Sequence, residues 1–186
     1  LPYRPKRRTR ATMAREKGLE PLAELLFAHG PAVNPEEAAA PFVDGEKGVD
    51  SVQAALAGAS DIIAEAVSDD AGVRKTLREL YLRRGFLVSR AAEKEPADSV
   101  YRLYYDFRAP VNRVQGHQVL AVNRGEREGV LKASVELDGE AALVAVRRAV
   151  VPGRAAMEFV RSAADDAWER LLEPSPWRTE PLCPAA

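Results

Sequence analysis

Cysteine is almost missing from this chain: Cys183 is the single thiol in 186 residues. One thiol cannot close an intrachain disulfide, so no covalent framework is expected. A reducing, cytoplasmic setting is. Histidine is equally scarce, with only His29 and His117, far apart in sequence. No Cys or His pair stands at metal-ligand spacing, so no metal site is expected. Apolar runs stay well short of the roughly 20 residues that cross a bilayer. No apolar stretch follows the basic N-terminus as a signal peptide would require, and no membrane partner is expected. A charge excess is lacking too. There are 27 basic and 28 acidic residues, for a net charge of −1, so no global field pulls the chain onto nucleic acid or membrane.

The sequence also lacks the short motifs of phosphate chemistry and nucleophilic catalysis. There is no G-x-x-x-x-G-K-[ST] loop, no G-x-G-x-x-G after a strand, and no G-x-S-x-G turn. Asp69-Asp70 and Asp165-Asp166 are adjacent carboxylates. Neighbours on a helix point to different sides, which suits capping and solvation better than paired acid–base work. No catalytic residue and no cofactor are assigned, and no enzymatic activity is expected.

What is present is helix. Hydrophobic residues at 46% and charged residues at 30% fit a globular protein. The pattern predicts a mainly α fold, a bundle of about seven to nine helices with a small two-stranded β element. Residues 1–18 form a basic arm and short helix. Residues 19–85 form a helical subdomain, and 86–137 a mixed segment carrying the β element. Residues 138–174 form the C-terminal helices, and 175–186 a disordered tail. Because the chain begins with Leu and ends in a Pro-rich stretch, it is expected to be a fragment of a longer protein.

The organising stretch is 116–136, GHQVLAVNRGEREGVLKASVE. It reads as a helix, a charged turn and a strand. Val119, Leu120 and Asn123 share a helix face, and Gly125 is placed to end that helix in the left-handed region. Beyond Gly129 the period drops to two. Leu131, Ala133 and Val135 face one way and Lys132, Ser134 and Glu136 the other. The partner strand is Phe86-Leu87-Val88-Ser89. Ser99 caps YRLYYDFRAP, which reads as a short helix. Two helices, from Asp50 or Ser51 to about Val67 and from Asp69 or Asp70 to Arg84, make a helix–turn–helix-like part. Asp61, Glu65 and the acidic turn argue against its reading DNA. The last helix, 154–172, has a stripe of Met157, Val160, Ala164, Trp168 and Leu171.

Residues 1–17 hold seven bases against one acid, Glu16. Arg4, Lys6, Arg7, Arg8 and Arg10 are the candidate phosphate contacts, with Arg124 and Arg127 as weaker ones. The competing explanation is a solvated connector whose arginines pair with acids elsewhere. It is favoured because Tyr3 is the only aromatic among them.

Several segments together resemble one family. PYRPKRRTRATMAREKGLEPLAELL, DIIAE, YDF and AVNRGEREGVLKASVE are similar to the N-terminal helical region of the bacterial Tex proteins, transcription accessory proteins that bind nucleic acid. The resemblance implies a parent with an RNase-H-like domain, helix–hairpin–helix elements and an OB-type RNA-binding domain, none of which lies in this chain. It implies a non-enzymatic helical scaffold here, with RNA or DNA as partner through the full-length parent. The alternative is a docking module for RNA polymerase or transcription factors, through the acidic helices at 51–84.

Overall fold

The computed structural model describes residues 8–29, 33–92, 99–150 and 158–173. The tail from 175 and the bases Arg4, Lys6 and Arg7 lie outside them. Among the described residues there are eight α-helices and three strands. The mainly α expectation holds, with a sheet one strand larger than expected. The chain divides into two compact units, one holding 8–74 and 145–173 and the other holding 75–144.

The first unit is built around α4 (Val52–Asp69), against which α1 (Arg10–Glu16), α2 (Glu20–His29), α3 (Pro35–Ala39) and α8 (Glu158–Asp166) all pack. Its helix starts follow the caps in the sequence. Thr9 Oγ1 accepts from Thr12 N at 3.0 Å, Asn34 Oδ1 from Glu36 N at 3.1 Å, and Ser51 Oγ from Ala54 N at 3.1 Å. Each satisfies one of the amides a helix start leaves unpaired. Small residues let the neighbours of α4 come close, since Ala55, Ala59 and Ala64 are fully buried along it. From α2, Leu22 and Leu26 enter the core, whereas Leu25 is exposed. Val49 closes the loop before α4, whereas Val43 is exposed.

The final helix departs from a regular stripe. Residues Ala167–Leu172 continue α8 as a π-helix, in which Glu173 N donates to Trp168 O, five residues back, at 2.7 Å. A wider turn advances less per residue. The position that returns to the buried face after Trp168 is therefore Leu172, at 1% exposure, and not Leu171.

In the second unit a three-stranded antiparallel sheet runs in the order β2-β1-β3. The central strand is β1 (Phe86–Ala91), flanked by β2 (Asp106–Pro110) and β3 (Leu131–Glu136). Phe86 stands opposite both Pro110 and Glu136, and Arg90 opposite Asp106 and Lys132. The expected pairing of β1 with β3 is present. The expected helix at 101–110 is not: only Arg102–Tyr104 makes a helical turn, and Asp106–Pro110 is a strand. Aromatic spacing at Tyr104 and Phe107 imitates a helix face, yet the two rings meet edge-on at 5.3 Å across a turn. Pro110 is compatible with strand because β2 is an edge.

Helix α6 (Gly116–Arg127) packs on β3 and runs past Gly125, which corrects the expected stop. The left-handed residue is Gly129, with φ 73°. Gly125 is needed for space: a Cβ there would lie 2.5 Å from Leu131 Cδ1 and 3.2 Å from Tyr101 Cδ1. Val122 takes the buried place expected for Leu120, which is 58% exposed.

Candidate nucleic-acid interface

The described part of the basic arm is tied down by carboxylates. Arg8 pairs with Glu16, Arg15 Nη1 with Glu65 Oε1 at 2.7 Å, and the Thr9 hydroxyl donates to Glu65 Oε2 at 2.8 Å. Glu65 thus fastens both ends of α1 to α4. The Arg8–Glu16 pair is exposed on both sides and is worth at most about 1 kcal/mol, so phosphate can compete for Arg8. Arg10 is exposed, adds to the field on Asp61 and makes no ion pair among the described residues.

The acids of α4 are also committed. Arg170 Nη2 reaches Asp61 Oδ1 at 3.0 Å and Asp166 Oδ2 at 2.6 Å. Burial raises the Asp61 carboxyl above its ordinary value, and the Arg170 charge opposes that shift. Arg147 holds Asp165 through two bonds of 2.7 and 2.6 Å, the forked geometry that makes arginine–carboxylate pairs directional. Asp165 is therefore a brace between α8 and the helix that carries Arg147, and Asp166 holds the Arg170 side chain that reaches Asp61. The helices at 51–84 are less acidic at their surface than the run of Asp and Glu implies. Asp61 and Glu65 are paired, and α5 (Ala71–Arg84) carries Arg74, Lys75, Arg78, Arg83 and Arg84 against Glu79 alone.

On α6 the two weaker candidates differ. Arg124 Nε bonds Glu128 Oε1 at 3.0 Å, and the Tyr101 hydroxyl donates to the same carboxylate. Arg127 is exposed and makes no ion pair among the described residues. The Tyr101 hydroxyl, and then the Arg124 guanidinium, hold the Glu128 carboxyl below its ordinary range. A depressed acid stabilises the fold above its unfolded pKa, and that contribution disappears as pH falls through the folded value. Glu128→Gln should therefore melt earlier than the parent at pH 7. The gap should close below about pH 4, the ordinary glutamate range, when the parent carboxylate protonates. Thermal melts across that range check it.

One basic cluster was not visible as a run in the sequence. Arg83, Arg84, Asn112 and Arg113 line an open cleft of about 280 Å³ with Gly85, Phe86 and Pro110. All three arginines are exposed and none makes an ion pair among the described residues. Among the described residues, no cluster of three His, Cys, Asp or Glu is placed to hold a metal. No helix among them is long and apolar enough to cross a membrane.

Residues 30–179 match the family model described as Tex central region-like. The chain belongs to this family. It is 43% identical over 139 residues to Protein YhgF of Escherichia coli, covering 74% of this chain and 18% of that protein. It is 38% identical over 137 residues to Transcriptional accessory protein Tex of Neisseria gonorrhoeae, covering 73% of this chain and 18% of that protein. It is also 28% identical over 181 residues to S1 RNA-binding domain-containing protein 1 of Pongo abelii, covering 89% of this chain and 18% of that protein. The chain thus spans about a fifth of these relatives.

Within this Tex region, the described sequence candidates divide between the two units. Arg8 and Arg10 belong to the first unit, and Arg124 and Arg127 to the second. The cleft was missed because its arginines come from two segments, joined where Phe86 pairs with Pro110, Val111 N donates to Gly85 O at 2.9 Å and Asn112 Nδ2 meets Arg83 O at 3.4 Å. The available signal was the strong base excess of 74–84, masked by the acids of the preceding helix.

Proposed function

We propose that this Tex-family chain is a non-enzymatic helical scaffold within a nucleic-acid-binding transcription accessory protein. The observation that carries the proposal is the family match across 30–179, joined to the naming of one relative as a transcriptional accessory protein and another for an S1 RNA-binding domain. The use of charge inside the first unit supports it. Arg15, Arg147 and Arg170 brace helices against each other, which suits a part that holds a shape. Nonspecific phosphate contacts come from Arg4, Lys6, Arg7, Arg8 and Arg10, with Arg127 as an exposed addition. RNA or DNA is the partner, met chiefly through the parent protein.

The test is binding of this chain to duplex DNA and to single-stranded RNA across a salt series. Neutralising about five phosphates gives a log–log slope of roughly −4 on duplex. Replacing the five arm bases by Gln should flatten most of it. A wild-type response that is flat, or no binding at all, overturns the direct-contact part of the proposal.

A further inference from the structure

We infer that the arginine cleft of the second unit seats the phosphate backbone of a nucleic-acid strand. This deepens the function proposed above and rests on it. The last turn of α5 supplies Arg83 and Arg84, and the segment after β2 supplies Asn112 and Arg113. Three guanidiniums around one cleft repel each other. Folding gains nothing from that arrangement unless an acid or an anion compensates it. No described acid does. The nearest pairing on the sheet, Glu136 with Arg90 at 3.6 Å and Arg108 at 3.8 Å, uses other arginines.

One competing explanation is that Arg83 and Arg84 merely complement the negative end of the α5 dipole. That end already has partners for part of its carbonyls. Gly85 N donates to Tyr81 O at 2.8 Å, and Val111 N donates to Gly85 O at 2.9 Å. The Asn112 amide covers Arg83 O. Gly85 allows the chain to fold this tightly, since a Cβ there would lie 2.4 Å from Tyr81 O. Arg113 lies outside the helix and owes nothing to its dipole.

The cleft also has the wrong build for a whole cofactor. It is open, and Phe86 and Pro110 are the only apolar side chains among its lining residues, whereas cofactor pockets are walled mainly by apolar and aromatic groups. Guanidinium forks match phosphate oxygens two at a time. One face of the Phe86 ring is already covered by the Arg108 guanidinium, 4.1 Å from its centroid, so that face is closed to a stacking base. The recognition is therefore of backbone, with little preference for sequence.

The experiment compares the parent chain with the triple variant Arg83→Gln, Arg84→Gln, Arg113→Gln on a short mixed-sequence single-stranded RNA across salt. At about 0.7 per phosphate on a single strand, losing three contacts should reduce the slope by about 2. The corresponding triple Lys variant should retain it. The Gln triple should melt with the parent, because its three side chains are exposed and unpaired. Should it melt early, Arg113→Gln alone should still reduce the slope by about 0.7. An unchanged slope in the Gln variants, with normal binding by the parent, overturns the cleft and leaves the scaffold proposal standing. Absence of RNA and DNA binding by the parent chain overturns the cleft and the direct-contact proposal together.

Discussion

Trp168→Ala should unfold the chain at markedly lower denaturant, a loss of about 3–5 kcal/mol, the usual cost of removing a buried aromatic side chain. Trp168 is 3% exposed, in the π-helical stretch that packs against α4. Two features of the site keep the cost near the top of that range. Its neighbours along the helix, Ala164, Ala167 and Leu172, are buried, and Ala55, Ala59 and Ala64, buried along α4, offer little side chain to fill a void. The π turn also fixes the direction of the ring, so backbone rearrangement would forfeit the bond from Glu173 N to Trp168 O. Urea titration followed by far-UV circular dichroism measures the effect. A loss under about 1 kcal/mol would mean that this helix end does not belong to the core.

Gly125→Val should cost about 3 kcal/mol, the upper part of the range for inserting side-chain atoms into a packed site. The first added carbon already falls 2.5 Å from Leu131 Cδ1 and 2.8 Å from Leu131 Cγ. Leu131 is 2% exposed and Tyr101, on the other side, 5%, so neither has open space to move into. Gly125→Ala meets the same first clash but gains about 1 kcal/mol of helix propensity, and should be the milder of the two. The order of the two variants is the informative result. A glycine needed only for left-handed backbone would penalise Ala and Val alike. A glycine needed for close approach penalises Val more. The same melts report on the joint between α6 and β3, around which the second unit is arranged.

Local patterns carried much of this molecule. The caps at Thr9, Asn34 and Ser51 act between residues two or three apart, so they are legible in the sequence and are present as expected. The alternation of Leu131 to Glu136 likewise reports a strand with one covered face. Family membership was legible for a related reason: long ungapped segments survive where many local requirements coincide. The third strand was hidden because Tyr104 and Phe107 stand at helix spacing, and only pairing with β1 decides that 106–110 is extended. Likewise, nothing local announces that Gly125 must admit Leu131.

The sequence by itself determined the helical class, most helix starts, the β1–β3 pairing and the absence of motifs for metal or nucleotide chemistry, since these depend on neighbours along the chain. Tertiary structure alone decided which charges are spent and which remain available. Asp61 and Arg170 find each other across 109 positions, and Arg84 and Arg113 line one cleft while standing in separate segments. Electrostatic energy depends on distance in space and on solvent access, and neither quantity is written in the order of residues.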